Sequence, residues 1–221
     1  MRRRRSCESL SGRWDTEMSR LVLATKNPGK VLEIKEILKH LPIEVVACSA
    51  YRGIPDVVED GETFRDNAMS KARVIAGATG QVALADDSGL EVDVLCGAPG
   101  VHSARFAGGD LPRGRERDRA NYEKLLSRLE GVGDAERTAR FRCVVALADP
   151  SGKVRFAEGV CEGKIAFAPD GCGGFGYDPV FIPLGHTRSF AALPQDVKNA
   201  MSHRALALKA ALPLIKEFFQ L

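Results

Sequence analysis

The 221-residue sequence lacks a long uninterrupted hydrophobic run. Its most apolar stretch, residues 206–219, is broken by three charged side chains and a proline, whereas a membrane-spanning helix needs about 20 apolar residues. The basic start at residues 1–5 is not followed by the apolar region of about 7–15 residues that a secretory signal contains. We therefore expect a protein with no membrane segment and no export signal.

Paired cysteines, clustered histidines and a strong charge of one sign are also missing. The six cysteines include no Cys-x-x-Cys pair, and the four histidines are too far apart for zinc-ligand spacing. The scattered cysteines and the lack of a secretory signal favour a reduced, cytoplasmic chain, and the histidine spacing argues against a zinc site. The 32 basic and 29 acidic residues leave a net charge of only +3, which excludes a globally basic protein that coats nucleic acid.

Residues 1–17 differ from the rest of the chain because they are polar and Arg-rich and show no periodicity. We interpret them as a disordered or non-native N-terminal extension, with Met18 as the native start. Four arginines without aromatic neighbours make a nucleic-acid-binding arm the weaker interpretation. Residues 18–221 contain no linker and no repeat, and we predict that they form a single domain.

The apolar spacing of the chain alternates between strand-like and helix-like segments. Strands are predicted at residues 21–25, 44–48, 82–86, 141–148 and 154–160, the last two forming a hairpin. Helices are predicted at residues 31–38, 64–76 and 115–129 and from Ser202 onward, the last kinked at Pro213. This order predicts an α/β fold with a mixed sheet.

The turn between the first strand and the first helix has the composition of a phosphate-binding segment. It reads Thr25-Lys26-Asn27-Pro28-Gly29-Lys30. The free N–H groups and positive dipole of a helix start attract an anion, and a lysine adds charge. It is not a Walker motif, and an ordinary strand–helix turn with a surface lysine explains the spacing equally well.

A lysine lies on the apolar face of the second predicted helix. Helical spacing places Lys71 within the stripe that contains Phe64 and Ala68, and Asn67 at the edge of that stripe. Because a lysine is rarely buried without a partner, this edge is predicted to face a cleft that holds an anion. The alternative is a lysine whose ammonium reaches solvent.

Two adjacent carboxylates, Asp86 and Asp87, come at the end of the strand predicted at residues 82–86. Ligands of α/β sheets bind at this end of a strand. Repulsion between the carboxylates would be relieved by a cation, and Mg²⁺ suits such a site. Glu59 is a candidate third carboxylate. A turn or helix cap is the structural alternative.

Two segments near the C-terminus could contact a base. The loop Gly171–Gly176 contains Gly-x-Gly-x-x-Gly, but the prolines that follow prevent the helix of a dinucleotide site, so we favour a loop that presents Phe175 for stacking. A core phenylalanine is the alternative. Ser202 is suited to be a helix N-cap, and the cationic side chains of His203 and Arg204 would then lie unfavourably at the positive end of the helix dipole. A phosphate oxygen or the keto oxygen of a base would offset this repulsion, and screening by solvent is the alternative.

Taken together, these segments resemble the inosine triphosphate pyrophosphatase family, which hydrolyses non-canonical purine nucleoside triphosphates. The resemblance covers residues 20–219. The matching blocks are Leu23-Ala24-Thr25-x-Asn27-x-x-Lys30, Glu59-x-Gly61-x-Thr63-Phe64-x-x-Asn67-Ala68-x-x-Lys71-Ala72, Ala85-Asp86-Asp87-Ser88-Gly89-Leu90, Gly97-Ala98-Pro99-Gly100-Val101-x-Ser103-Ala104-Arg105, Gly173-Gly174-Phe175-Gly176-Tyr177-Asp178-Pro179 and Lys198-x-x-x-Ser202-His203-Arg204. The chain departs from the family pattern at Arg65 and Ala192.

The resemblance implies a mixed, mostly parallel sheet in two lobes with a central substrate cleft, and a homodimer. It also implies Mg²⁺-dependent hydrolysis of ITP, dITP and XTP to the nucleoside monophosphate and pyrophosphate. Asp87 would be the general base, and Glu59, Asp86 and Asp87 would form the metal region. The implied substrate contacts are Thr25, Lys26, Asn27, Pro28, Gly29, Lys30, Lys71, Ser88, Phe175, Gly176, Tyr177, Asp178, Lys198, His203 and Arg204.

Two other functions are compatible with the same residues. A non-catalytic nucleotide- or RNA-binding protein would use the phosphate turn without needing paired carboxylates. A pyrophosphatase for modified pyrimidine triphosphates would keep the carboxylates but recognise a different base.

Overall fold

The computed structural model describes residues 19–109, 111–112 and 114–221, so the predicted extension at residues 1–17 lies outside the described residues. The six strands are β1 (Arg20–Leu23), β2 (Glu44–Ala47), β3 (Val82–Val92), β4 (Thr138–Ala148), β5 (Val154–Ile165) and β6 (Phe181–Pro183). The helices are α1 (Pro28–Leu38), α2 (Phe64–Thr79), α3 (Arg115–Arg128), α4 (Gln195–Met201) and α5 (His203–Phe219). Among these residues, none of the helices has the length and apolarity that crossing a membrane requires.

One six-stranded mixed sheet, in the order β2-β1-β3-β4-β5-β6, organises the described residues. The prediction of an α/β fold with a mixed sheet is therefore confirmed. The sheet is not mostly parallel, however: β1 pairs in parallel with β2 and β3, whereas the three remaining pairings are antiparallel. Strand β4 accounts for two of these pairings: it forms a hairpin with β5, and the segment that contains α3 brings it back beside β3 in the opposite direction.

Strand β3 is much longer than the sequence predicted. It was expected to end at Asp86, but it pairs with β4 from Ala83 to Val92. Asp86 and Asp87 therefore lie inside the strand rather than in a turn after it. They still lie beyond the carboxyl end of β1, because Leu23, the last residue of β1, pairs with Leu84. The long antiparallel partner β4 supplies the backbone hydrogen bonds that keep this polar segment extended.

The long strands connect two apolar centres, and this arrangement produces the two lobes. The first centre consists of two buried clusters on opposite faces of the sheet near β1 and β2, and Leu84 and Leu147 belong to one of them. Leu90 and Phe141, further along the same strands, belong to the second centre. The polar segment of residues 86–88 lies between the two centres. The sheet thus places polar side chains where its apolar packing is interrupted.

The short elements α4 and β6 were not predicted, because seven and three residues carry too little periodicity. The last helix begins as expected: Ser202 is the N-cap of α5, and its side chain accepts a hydrogen bond from the amide of Ala205. Pro213 lies within α5.

Candidate functional site

The two adjacent aspartates of β3 point to opposite faces of the sheet. Side chains alternate along a strand, so Asp86 shares a face with Leu84, whereas Asp87 shares the other face with Ala85. The face of Asp86 is covered by α1 and α5, and the face of Asp87 is covered by α2. Each carboxylate therefore has its own set of basic partners.

Asp86 is held by cations from two helices. The ammonium Nζ of Lys30 lies 2.9 Å from Oδ2 of Asp86, and Nε of Arg204 donates to the same oxygen at 3.1 Å. Burial alone would raise the pKa of Asp86, but Lys30, Arg204 and Lys71 outweigh it and hold that pKa far below its usual value. Oδ1 of Asp86 is buried and has no hydrogen-bond partner among the described residues. Asp86 is therefore a permanently charged carboxylate.

Asp87 contacts α2 through two polar side chains. Nζ of Lys71 donates to Oδ1 of Asp87 at 2.9 Å, and Nδ2 of Asn67 donates to Oδ2 at 3.2 Å. Lys71 also donates to Oε1 of Glu59 at 2.9 Å and to the carbonyl oxygen of Asp86 at 2.8 Å. The structure thus brings Asn67 and Lys71 to the site, as helical spacing suggested, but the buried ammonium is neutralised by carboxylates of the chain itself.

The protonation behaviour of this pair follows from burial. Burial raises the pKa of Asp87 above its ordinary value, against the opposing charges of Lys71 and Lys30. Burial acts in the other direction on Lys71, but Asp87, Glu59 and Asp86 together raise its pKa. Both shifts coexist because Lys71 faces three acidic groups, whereas Asp87 is also repelled by Glu59. Asp87 is consequently a stronger base than an exposed aspartate.

The three carboxylates proposed for a metal do not form one cluster. Within the part of the chain that the structure describes, no group of three or more His, Cys, Asp or Glu side chains is placed to hold a metal ion. Strand alternation is the reason, because it separates Asp86 from Asp87. Glu59 and Asp87 lie on one face and share Lys71. These two carboxylates offer only oxygen donors, which suit a hard cation such as Mg²⁺.

The turn before α1 is organised by a helix cap. Oδ1 of Asn27 accepts from the amides of Gly29 at 2.9 Å and Lys30 at 3.4 Å, and Pro28 is the first helical residue. Oγ1 of Thr25 accepts from the amide of Asn27 at 3.2 Å. Lys26 is exposed and pairs with Asp56. Of the two lysines in the turn, Lys30 therefore faces the aspartates.

A residue that sequence reasoning missed, Glu33, connects the remaining cations. Its carboxylate lies 2.5 Å from NH1 of Arg204 and 3.3 Å from Nζ of Lys198. Lys198 also pairs with Asp178 at 2.7 Å. Glu33 follows Lys30 by three positions, so helical spacing could have placed it on the same face of α1. Its partners are more than 160 residues away, which no local pattern reveals.

The start of α5 presents Arg204 and His203 to this network. NH2 of Arg204 donates to Oγ of Ser88 at 3.1 Å, so one guanidinium contacts β3 and α1. The ring of His203 stacks on Phe141 with 4.6 Å between centroids, and its Nδ1 is buried with no partner among the described residues. Burial, followed by Arg204 and Lys198, lowers the pKa of His203 well below its ordinary value. The imidazole is therefore neutral.

The Gly-rich loop places an aromatic ring beside these cations. Nζ of Lys198 lies 4.8 Å and the guanidinium carbon of Arg204 lies 5.6 Å from the ring centroid of Phe175. The amide of Phe175 donates to Oδ2 of Asp178 at 2.8 Å. Tyr177 differs from its neighbours: it is 4% exposed and packs in the second apolar centre, and its hydroxyl donates to the carbonyl oxygen of Ser103 at 2.8 Å.

Four cations and a phenylalanine ring thus converge around two strand carboxylates at the junction of the two lobes. Basic groups at a helix start and an aromatic face are typical of α/β proteins that bind nucleoside phosphates. The site and the fold together are therefore those of an α/β protein of the nucleoside-phosphate-binding class.

Comparison with known proteins gives the family. Residues 21–214 match the model of the Ham1 family. The dITP/XTP pyrophosphatase of Desulforamulus reducens is 52% identical over 200 residues, covering 90% of this chain and 97% of that protein. The dITP/XTP pyrophosphatase of Streptomyces coelicolor is 49% identical over 204 residues, covering 90% and 98%. The solved HAM1 protein of Coxiella burnetii superposes with a TM-score of 0.81 at 41% identity, covering 90% of this chain and all of that one. The chain belongs to the Ham1 family.

Proposed function

We propose that this chain hydrolyses non-canonical purine nucleoside triphosphates, namely ITP, dITP and XTP, to the nucleoside monophosphate and pyrophosphate. The relatives named dITP/XTP pyrophosphatases support this assignment across nearly their whole length. The observation that carries it is the convergence of Lys30, Lys71 and Arg204 on two buried carboxylates. Such a site offers cations that can contact phosphate oxygens and a carboxylate that can accept a proton from water.

The chemistry proposed for the site begins at Asp87. Its carboxylate accepts a proton from a water molecule, which attacks the α-phosphorus and breaks the bond to the bridging oxygen of pyrophosphate. The pKa of Asp87, raised by burial, brings this base closer to the pH at which it acts. Lys30 and Lys71 stabilise negative charge on the phosphate oxygens as it develops. Asn67 orients the carboxylate through its contact with Oδ2.

We propose Mg²⁺ as the cofactor, held by Glu59 and Asp87, which lie on the same face of the sheet. When bound there, the ion supplies charge neutralisation for phosphate oxygens. Asp86 belongs instead with Lys30 and Arg204 on the opposite face. Asp86 is therefore proposed to keep both cations in place and not to bind the metal. Of the three carboxylates that the resemblance implied for the metal region, Glu59 and Asp87 remain as proposed ligands.

The base is proposed to be recognised by its 6-keto oxygen. The guanidinium of Arg204 has five N–H donors, of which three are engaged by Asp86, Glu33 and Ser88. A remaining N–H would donate to a keto oxygen, whereas the 6-amino group of adenine would leave it unpaired. A mismatch of this kind discriminates by up to about 10⁴-fold. Lys198 and the neutral His203 lie beside it, and Phe175 provides the stacking face.

A substrate panel tests the proposal. The chain is incubated with Mg²⁺ and ITP, XTP, dITP, ATP or GTP, and pyrophosphate is resolved from orthophosphate. We expect pyrophosphate from the first three triphosphates and little product from ATP. Orthophosphate as the product, or equal rates with ATP, would contradict it.

The point of attack and the metal are tested in the same system. Hydrolysis of ITP in ¹⁸O-labelled water should place the label in the monophosphate and none in pyrophosphate. Chelation of divalent cations should abolish turnover, and Mg²⁺ should restore it. Label in pyrophosphate would exclude attack at the α-phosphorus.

The homodimer and the cytoplasmic location stay predictions.

The competing functions make different predictions in this panel. A nucleotide- or RNA-binding protein would bind ITP without releasing pyrophosphate. A pyrophosphatase for pyrimidine substrates would turn over modified pyrimidine triphosphates in preference to ITP. The carboxylate of Asp87, held in place by Lys71 and Asn67, favours hydrolysis over binding alone, because a site that only binds a nucleotide has no need of a proton acceptor for water.

A further inference from the structure

Two carboxylates hold consecutive backbone amides at the tip of the Gly-rich loop. Oδ2 of Asp178 accepts from the amide of Phe175 at 2.8 Å, and Oδ2 of Asp118 accepts from the amide of Gly176 at 2.9 Å. Asp178 is three residues from its partner, whereas Asp118 is 58 residues away, in the first turn of α3. The loop is thus tied to a separate helix immediately beside Phe175.

The backbone on both sides of Phe175 requires this kind of restraint. Gly174 and Gly176 have φ angles of 69° and 63°, a region that glycine enters freely. Glycine also populates negative φ with similar ease, so an unrestrained Gly176 could rotate and carry the phenylalanine with it. A hydrogen bond from the Gly176 amide to a fixed acceptor removes this freedom.

Helix α3 is a suitable fixed support for the acceptor. Asn121, one turn after Asp118, accepts from the amide of Ala107 at 2.7 Å and donates to the carbonyl oxygen of Ala104 at 3.4 Å. Leu125, one turn further, is completely buried in the second apolar centre. Positions i, i+3 and i+7 share one face of a helix, so Asp118 extends from the same side of α3 that is fixed to the body of the protein.

We propose that Asp118 is a positioning residue that fixes the Phe175 ring beside Lys198 and Arg204. With the ring in this position, the purine base stacks on it while the edge of the base contacts the two cations. The inference rests on the proposed function, because it assigns Phe175 the role of stacking on the base. Asp118 touches neither the base nor the phosphates in this account. Its effect passes through the amide of Gly176.

The first test measures steady-state kinetics with ITP. Asp118→Ala leaves the Gly176 amide without its charged acceptor, and we expect KM to rise about tenfold while kcat changes less than about threefold. Asp118→Asn keeps an oxygen acceptor of the same reach and should restore KM to within about threefold of the parent. An unchanged KM in Asp118→Ala overturns the inference.

A matched control separates positioning from helix stability. Glu116 is an exposed acid in the same first turn of α3. Glu116→Gln removes a comparable favourable interaction with the helix dipole and should leave KM unchanged. An equal rise of KM in Glu116→Gln and Asp118→Ala would assign the effect to α3 and overturn the inference. If Asp118→Ala does not fold, Asp118→Ser, whose hydroxyl is too short to reach Gly176, replaces it with the same expectation.

A double-mutant cycle tests whether Asp118 acts through the ring. In a Phe175→Ala background, Asp118→Ala should change KM by less than about twofold, because no ring remains to be positioned. The same fold-change in both backgrounds overturns the inference.

Hydrogen exchange tests the contact without reference to catalysis. Peptides covering residues 173–177 should lose amide protection in Asp118→Ala and keep it in Glu116→Gln, whereas peptides from β1 should not change. Unchanged protection at residues 173–177 overturns the inference. Absence of triphosphate hydrolysis by the parent chain would instead contradict the proposed function, while the exchange result would still decide whether Asp118 restrains the loop.

Discussion

At the scale of single residues, Glu33 is the side chain that holds Lys198 and Arg204 together. Its carboxylate is mostly buried between Lys198 and Arg204, which are themselves almost inaccessible. An ammonium and a guanidinium this close would repel each other without an anion between them. Glu33 therefore offsets the charge of two cations that are buried side by side.

Replacing Glu33 should destabilise the fold as well as the site. Glu33→Gln leaves two buried cations with one fewer counter-charge, and the free energy of unfolding should fall by about 3 kcal/mol in urea titrations. The control is Glu36→Gln on the same helix, where an exposed pair with Lys39 is lost, and the change should stay below about 0.5 kcal/mol. Equal effects of the two variants would show that Glu33 is not a structural counter-ion.

His203 should give the stability of the protein a specific pH dependence. The pKa of His203 is lowered in the folded protein, so below the unfolded pKa of about 6.5 the unfolded chain binds a proton that the folded chain does not. The free energy of unfolding should therefore decrease as the pH falls below about 6.5, by up to about 1.4 kcal/mol per pH unit. Urea unfolding across this pH range measures the slope, and His203→Gln should reduce it. An identical slope in the variant would contradict the assignment.

Residue types and spacing predicted many of the side chains at the site, but not the distant residues that contact them. Lys71 and Asn67 were found because helical periodicity places them on a buried face. Glu33 and Asp118 were not found, because each is defined by an interaction with a distant segment. Tyr177 was grouped with the substrate contacts by its motif, yet its hydroxyl is engaged by Ser103 and its ring packs in the second apolar centre.

At the scale of elements, the contact between β5 and α5 sets the position of the cations. A Cβ on Gly159 of β5 would lie 2.3 Å from the carbonyl oxygen of His203 and from the amide nitrogen of Ala207. The helix backbone therefore rests directly on the strand at this glycine. The position of Arg204 over Asp86 depends on that close approach.

Substitution of this glycine should move α5. Gly159→Ala should lower the free energy of unfolding by about 2–3 kcal/mol and reduce turnover, because neither backbone can yield without displacing Arg204. Gly77→Ala is the matched control: Gly77 lies within α2 and a Cβ there meets nothing within 4 Å, so stability should rise by about 0.5–1 kcal/mol. Chemical unfolding of both variants measures the two changes in the free energy of unfolding. A neutral Gly159→Ala would show that the contact is not tight.

The length of β3 shows why element boundaries were harder to predict than elements. A polar Asp-Asp-Ser-Gly segment has the composition of a turn, and the sequence contains no sign that β4 will pair with it. Once the strand is known to continue, alternation alone places the two aspartates on opposite faces. The misplaced end of the strand therefore also concealed that Asp86 and Asp87 face opposite sides of the sheet.

At the scale of the whole molecule, two apolar centres share the long strands β3, β4 and β5. Hydrophobic patterning predicted a mixed α/β sheet, because each strand and helix has its own periodicity. It also predicted the antiparallel hairpin of β4 and β5, which is confirmed. It did not predict the antiparallel pairings of β3 with β4 and of β5 with β6, since these depend on contacts between distant segments. The division into lobes came from the family resemblance, and the polar segment of β3 marks where they meet.

The central claim is that Asp87, at this junction, is the base for hydrolysis of a purine triphosphate. The most direct measurement is the single-turnover rate of ITP hydrolysis by Asp87→Asn, which keeps the shape of the side chain but removes its basicity. The account predicts a rate lowered by about 10²–10⁴-fold, with folding verified by an intact unfolding transition. A rate within about threefold of the parent would contradict the account.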